Sequence, residues 1–253
     1  MAGVRRPSGW VGTGRVRGWI ARQEAGVLAA ILAVAGGLFA FARLASEVVE
    51  GDTRRFDEAV LLALRNPADL SDPLGPPWLE EMMRDLTALG GTAVLTLVTV
   101  AVAGFLILTG KRRAAATVGV AVVGGLLLSN ALKWGFARPR PDLVPHGQAV
   151  YTQSFPSSHA MLSAVVYLTL GALLARTQPR RRVKLYFLAV AAILTVLVGA
   201  SRVYLGVHWP TDVLAGWTLG AGWALLCWLA TLWLQRHGDV EPDDAPVPSG
   251  EDG

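Results

Sequence analysis

Cysteine is nearly missing from this chain: Cys227 is the only one in 253 residues. No internal disulfide can form, and the redox compartment leaves no trace. Cys227 stands in an apolar run and reads as a packing residue. Charge is sparse as well, with Asp, Glu, Lys and Arg making up 17% of the residues, below the share usual in soluble domains. Lysine is confined to Lys111, Lys133 and Lys184, whereas arginine is abundant. No group of His, Cys and carboxylate residues has the spacing of metal ligands, so neither a metal nor another cofactor is expected. The chain is instead rich in apolar residues, at 53%, with mean hydropathy +0.43. These residues are gathered in runs, which points to an all-α polytopic membrane protein of one domain. The net charge of +4 then reads as arginines on the inner membrane face, and a nucleic-acid partner is not expected.

The first run, 26–44, is long enough to cross about 30 Å of hydrocarbon at 1.5 Å per residue. Arg5, Arg6, Arg15, Arg17 and Arg22 precede it, as in the leader of a signal peptide. A cleaved signal has an apolar core of only about 7–15 residues, so an uncleaved first span is expected. A polar stretch, 45–90, follows. Within it Phe56, Val60, Leu61 and Leu64 share one face at helical spacing, predicting a short amphipathic helix that lies on the membrane surface. Pro67, Pro73, Pro76 and Pro77 interrupt the chain before a second short helix, Trp78 to Leu89. Further apolar runs at 92–109, 114–133, 160–175, 185–201 and 213–234 bring the expected total to six spans. Gly36, Gly37, Gly124, Gly125, Gly216 and Gly220 read as sites of close helix packing. A basic N-terminus, 1–25, precedes the domain at 26–237. The acidic, Pro/Gly-rich segment 238–253 is expected to be disordered.

Basic clusters set the orientation. They lie before span one, at Lys111–Arg113, at Arg176 to Lys184 and at Arg236. With six spans all fall on one side, which the positive-inside rule makes cytoplasmic, with both termini there. The stretches 45–91, 134–159 and 202–212 then face outward. Trp134, Phe136, Tyr204 and Trp209 read as an outer aromatic belt, and Trp10, Trp19, Trp228 and Trp233 as an inner one.

Lys133, Arg140, Ser157, Ser158, His159, Arg202, His208 and Asp212 all fall in or beside two of the outward stretches. Polar groups at the ends of apolar spans are costly enough to need a reason for gathering. Phosphoryl transfer supplies one, because it needs neutralised oxygens, an in-line nucleophile and a proton for the leaving group. Arg140 and Arg202 can fork onto phosphate oxygens, and Lys133 adds a point charge. Ser157, Ser158 and the start of the next helix can offer hydroxyl and N–H donors. His208 is the expected nucleophile, forming a phosphohistidine, and Asp212 would hold its other ring nitrogen. His159 is the expected acid for the leaving oxygen. Two histidines in opposite protonation states predict a bell-shaped pH profile.

Read singly, these residues have plainer explanations. Lys133 alone would be a snorkelling cation, Asp212 a carboxylate at a helix start, and Pro156-Ser157-Ser158 an ordinary helix N-terminus. Arg138 reads as an interfacial charge, since spacing from Lys133 selects Arg140. His146 has no partner in the pattern. What the plain readings leave unexplained is the common spacing and the common membrane side.

The pattern Lys133-x6-Arg140-Pro141, Pro156-Ser157-Ser158-His159, and Ser201-Arg202-x5-His208-x3-Asp212 resembles that of the type 2 phosphatidic acid phosphatases, or lipid phosphate phosphatases. Vanadium haloperoxidases and bacterial acid phosphatases share that active-site architecture. The resemblance implies the roles given above and a metal-free reaction. It covers spans three to six, whereas 45–91 matches in layout only. Ser158 stands where the family usually has Gly, and a positive φ there would strain it. The implied activity is hydrolysis of a phosphate or diphosphate on a membrane lipid. Undecaprenyl diphosphate at the outer face leads, followed by phosphatidylglycerol phosphate and phosphatidic acid. A non-catalytic lipid transporter or lipid-binding protein, and a phosphotransferase, are the alternatives. The sequence leaves the oligomeric state open.

Overall fold

A 48° bend between two helices, α3 (Pro77–Ala88) and α4 (Thr92–Leu108), decides how many times this chain could cross a bilayer. The computed structural model describes residues 13–147 and 152–236, with side chains from 24 to 234 outside that gap. Five helices are long and apolar enough to span: α1 (Thr13–Glu50), α5 (Arg112–Phe136), α6 (Ser158–Arg176), α7 (Arg181–Tyr204) and α8 (Pro210–Arg236). The α4 helix has 17 residues and falls short alone, so a sixth span requires α3 and α4 to act as one bent unit. The break lies at Leu89-Gly90-Gly91. Gly90 abuts Val198 and His159 so closely that a Cβ would collide with Val198. The expected basic leader and acidic tail lie largely outside the described residues.

The α6 helix is central, packed against α5, α7 and α8. Its outer neighbours expose Leu32, Leu97 and Leu108, as a lipid-facing surface should. Lipid supplies no hydrophobic drive between helices, so close backbone approach must come from small residues. On α8, Gly216 faces the Ser157 carbonyl, where a Cβ would sit 2.7 Å from the oxygen, and Gly220 faces the carbonyl of Met161. Gly124 makes the corresponding room on α5 for Trp223. The Gly36 position is open by contrast.

Three expectations for 45–91 need correcting. A two-stranded antiparallel ribbon, β1 (Arg65–Asn66) with β2 (Asp69–Pro73), interrupts the otherwise helical chain. Asn66 and Asp69 side chains accept from the N–H groups of Ala68 and Ser71, which explains a turn where only a break was expected. The short helix is α2 (Arg54–Leu62), and Val60, Leu61 and Leu64 of the expected face pack inward, onto the bundle and not onto a membrane surface, but Phe56 does not. Phe56 is 51% exposed, whereas Asp57 and Leu61 are fully buried. This helix packs on the start of α8, with Leu61 joining Val144, Val203, Trp209 and Val213 in one apolar cluster. Arg65 then fixes the ribbon to the end of α7 through the Tyr204 carbonyl at 2.8 Å. The segment therefore covers one end of the bundle.

The outer aromatic belt is also revised. Trp134 is exposed, but Tyr204 and Trp209 are buried. Phe136 meets Phe41 and Phe155 edge to face in one cluster. Tyr204 donates to Leu74 O, and Trp209 Nε1 donates to Pro139 O. Their polar atoms hold loops in place.

Candidate active site

Four chain segments converge at the covered end of the bundle. The α5 helix ends on Ala137, which has a left-handed φ of 46° and turns the chain into Arg138-Pro139-Arg140-Pro141. Ser157 caps α6: its hydroxyl accepts from Ala160 N at 3.5 Å, and its N–H donates to the Asp212 carbonyl. Arg202 lies in the last turn of α7. After the turn at Gly206 (φ 71°), His208 precedes Pro210, which opens α8.

Asp212 is fully buried and saturated with donors. Its Oδ1 accepts from Arg138 Nη1 at 2.6 Å. Its Oδ2 accepts from Trp209 N at 2.9 Å and from the Ser154 hydroxyl, and faces His208 Nδ1 at 3.4 Å. On the far side of the ring, Arg140 Nη1 lies 3.1 Å from His208 Nε2. A guanidinium can only donate, so Nε2 accepts and the ring proton sits on Nδ1, toward Asp212. The imidazole is neutral. Burial first, and then the charges of Arg140, Arg202 and Lys133, hold its pKa well below the usual histidine value. Burial also lowers the pKa of Arg140, partly offset by Asp212. Arg140 is aimed by Nε to Thr152 O at 2.8 Å and by Nη1 to Val207 O.

The remaining cations flank the ring. Lys133 is buried and donates to Gln153 O. Arg202 is 2% exposed, with Nη1 on Thr87 Oγ1 at 3.0 Å. His159 is half-buried in the first turn of α6, within the electrostatic reach of Arg202, His208, Arg140 and Lys133. Three cations and two imidazoles thus share one neighbourhood at a helix N-terminus, a setting that attracts an anion. Ser157 is fully buried and its hydroxyl accepts the α6 cap bond, which leaves its O–H as a donor. Ser158 has helical backbone, because Ala137 is the one non-glycine residue of positive φ among the described residues. The strain feared at Ser158 is absent, and its hydroxyl pairs with Ser129 Oγ at 2.8 Å. His146 bonds to Pro141 O and stays outside the cluster.

Sequence reasoning missed a second layer. Arg138 is a bridge and not an interfacial charge. One arm reaches Asp212 and Thr211 Oγ1, and the other reaches Asp57 Oδ2 at 2.7 Å. Asp57 also accepts from Thr211 N at 2.9 Å and Thr211 Oγ1 at 2.7 Å. The Arg138 guanidinium lies 5.7 Å from the Trp209 ring centroid. Asp57, Arg138, Asp212 and His208 thus form one buried chain, in which charge alternates over the first three and ends on the neutral ring. A signal for it was present, since Asp57 precedes Val60, Leu61 and Leu64 on the apolar stripe of α2, where an acid needs a partner.

A buried imidazole backed by a carboxylate, in one neighbourhood with three cations and set in a bundle of apolar spans, is a site suited to a phosphate in a membrane protein. The chain belongs to the PAP2 superfamily, whose family model matches residues 114–236. Phosphatidylglycerophosphatase B of Bacillus subtilis is 36% identical over 148 residues, covering 57% of this chain and 71% of that protein. An undecaprenyl-diphosphatase of Sulfolobus acidocaldarius is 34% identical, covering 46% of this chain and 54% of that one. Among solved structures, a transmembrane PAP2 type phosphatidylglycerolphosphate phosphatase from Bacillus subtilis superposes with a TM-score of 0.73 at 30% identity. That match covers 80% of this chain and 98% of the other.

Proposed function

We propose that this protein removes phosphate from a membrane lipid through a phosphohistidine on His208, at the outer face of a six-span bundle. The observation that carries the reading is the ring of His208, held neutral with Nδ1 toward Asp212 and Nε2 toward Arg140. In the resting site Arg140 occupies the Nε2 lone pair. A substrate phosphate that draws the guanidinium onto its own oxygens frees that lone pair for attack. Arg202 and Lys133 share the charge of the other oxygens, and the N–H groups of Ser158 and His159 are the first-turn donors of α6.

Nε2 bonds to phosphorus as the bond to the leaving oxygen breaks. His159 donates a proton to that oxygen. The positive ring of the phosphohistidine is stabilised by Asp212 through Nδ1–H. Water then attacks phosphorus, His159 takes its proton, and Nε2 leaves with its electron pair. The sum is one water consumed, one phosphate and one dephosphorylated product released. Arg138 and Asp57 touch no reacting atom in this scheme and act as positioning residues for Asp212.

Two lipids head the substrate order. The outward orientation, read from the basic clusters, favours undecaprenyl diphosphate, whereas the similarity to phosphatidylglycerophosphatase B and to the solved phosphatidylglycerolphosphate phosphatase supports phosphatidylglycerol phosphate. Phosphate release by purified protein should be measured with both, and with phosphatidic acid, with and without EDTA. Turnover of at least one lipid, undiminished by EDTA, is expected. Binding of all three without release would leave a lipid-binding or transport protein instead, and EDTA-sensitive release would contradict the metal-free scheme. For orientation, Asp142→Cys in a Cys227→Ser background should react with an impermeant maleimide from outside intact cells. Reaction only after permeabilisation would place the site on the cytoplasmic face.

A further inference from the structure

At the end of the bundle opposite His208, α5, α6, α7 and α8 part around a cavity of about 520 Å³. That volume lies inside the range of about 300–1,000 Å³ typical of ligand sites. Its wall is apolar, with Val118 on α5, Leu173 on α6, Leu188 on α7 and Leu225 and Trp228 on α8. Two cations also line it: Arg176, the last residue of α6, and Lys184, in the first turn of α7. Thr169 lies seven residues before Arg176, roughly 10 Å deeper at 1.5 Å per residue. Its hydroxyl is buried with no hydrogen-bond partner among the described residues. The other wall threonines are satisfied, since Thr117 donates to Arg113 O and Thr231 to Cys227 O.

The wall runs from Leu168 to Arg176 along α6, roughly 12 Å, which is most of one leaflet when the whole hydrocarbon is about 30 Å thick. The chemistry is graded along that depth, with carbon in the interior, one open hydroxyl, and positive charge at the helix ends. A free anion would leave the apolar wall unfilled. The positive charge of Arg176 and Lys184 at the helix ends favours an anionic headgroup over a neutral one. We propose that this cavity is a second lipid site, separate from the phosphatase centre. It holds one chain of an anionic phospholipid, with the headgroup phosphate at Arg176 and Lys184 and the ester region facing Thr169.

Cys227 lines the same wall and is the only cysteine, so the native chain carries its own reporter. Full-length protein, purified in detergent and stripped of lipid, should be labelled with an apolar maleimide. Phosphatidylglycerol or phosphatidylcholine is added at equal mole fraction. Phosphatidylglycerol should slow labelling at least fivefold and phosphatidylcholine less than twofold. The double change Arg176→Gln, Lys184→Gln should abolish that difference. Native mass spectrometry counts bound lipid directly, with one phosphatidylglycerol retained by the unchanged protein and none by the double variant. This count decides the matter if Cys227 is unreactive throughout. Equal protection by the two lipids, or retention that survives the double change, would overturn the proposal. Phosphate release measured on the same samples separates the two readings: loss of release with lipid selectivity intact counts against the phosphohistidine scheme alone.

Discussion

Replacing Asp212 by Asn tests the core of the mechanism, because no orientation of the amide fits this site. Both carboxylate oxygens accept: Oδ1 from Arg138 at 2.6 Å, Oδ2 from Trp209 N at 2.9 Å and from Ser154. An amide offers one acceptor and one donor group. With its oxygen toward Trp209, the NH2 group faces the Arg138 guanidinium, donor against donor. With its oxygen toward Arg138, the NH2 group faces Trp209 N–H and His208 Nδ1. The ring must then accept at Nδ1 and carry its proton on Nε2, where attack on phosphorus is impossible. A carboxylate-to-amide change behind a catalytic imidazole costs about 10⁴ in kcat in a serine protease, the closest mechanistic precedent. At about 1.36 kcal/mol per tenfold, that is roughly 5 kcal/mol of transition-state stabilisation. We expect Asp212→Asn to lower kcat for lipid phosphate release by about 10³–10⁴, with KM changed little, since Asp212 touches no phosphate oxygen in the scheme. Thermal unfolding followed by tryptophan fluorescence checks that the bundle persists. Ser154→Ala, which removes one donor and leaves the charge, should cost kcat only about tenfold and guards against misfolding of the amide variant. A folded Asp212→Asn protein with kcat within fivefold of the unchanged enzyme would refute the reasoning.

The second layer makes its own prediction. Asp57→Asn and Arg138→Lys each break a buried pair, which costs about 3–5 kcal/mol of stability, and each should lower kcat about tenfold with KM held. A lysine cannot fork between two carboxylates, so Arg138→Lys should not rescue; melting temperature and a kcat–KM split measure both effects. For pH, neutral His208 sets the acidic limb, where activity is lost as pH falls through its pKa, and the His159 proton sets the alkaline one. Because the His208 pKa is depressed, the acidic limb of kcat/KM should lie below about pH 6.5, the free histidine value. Arg140 is the leading charge in that depression, so Arg140→Gln should move the limb to higher pH while lowering kcat/KM by about 10–100-fold, the worth of a charged hydrogen bond. A limb that stays in place would mean Arg140 does not face the imidazole. Ser158→Gly restores the residue usual in the family and removes one hydroxyl pair worth about 1 kcal/mol. Since Ser158 has no backbone strain to relieve, kcat should change less than threefold, as steady-state kinetics will show.

The spans were legible because bilayer thickness fixes their length, and hydropathy reports it directly. The bend between α3 and α4 was not, although Gly90-Gly91 marked the place. An 18-residue apolar run looks the same whether it is straight or continues a shorter helix. The convergence of the candidate groups was legible as well, since Lys133, Arg140, Arg202, His159, His208 and Asp212 do meet at one end of the bundle. Spacing along three helices encodes that meeting. Ser157 was legible as a helix cap, and a cap and a phosphate donor call for the same residue in the same place. Tyr204 and Trp209 were misread because burial by α2 and the ribbon is a long-range event that local composition does not report.

Asp57 was the hardest to foresee, and it gives 45–91 a physical reason to exist. A nucleophilic histidine in this setting needs a carboxylate behind it, and that carboxylate is fully buried. Left with one cation, Asp212 would lose charge to Arg138 and hold His208 weakly. Placing Asp57 on the far side of Arg138 divides the guanidinium between two acids, at 2.6 and 2.7 Å, so Asp212 keeps more of its charge for the ring. The layer thus sums to one negative charge behind an imidazole that must become positive. Asp57 sits on a short helix between the first span and the ribbon, closed over the site by Leu61 and anchored by Arg65. The segment that matches the family only in layout therefore contributes half of the charge that prepares the nucleophile. If so, exchanging the charges by Asp57→Arg with Arg138→Asp should not restore kcat, because the second change sets an acid directly against Asp212 in place of its cation.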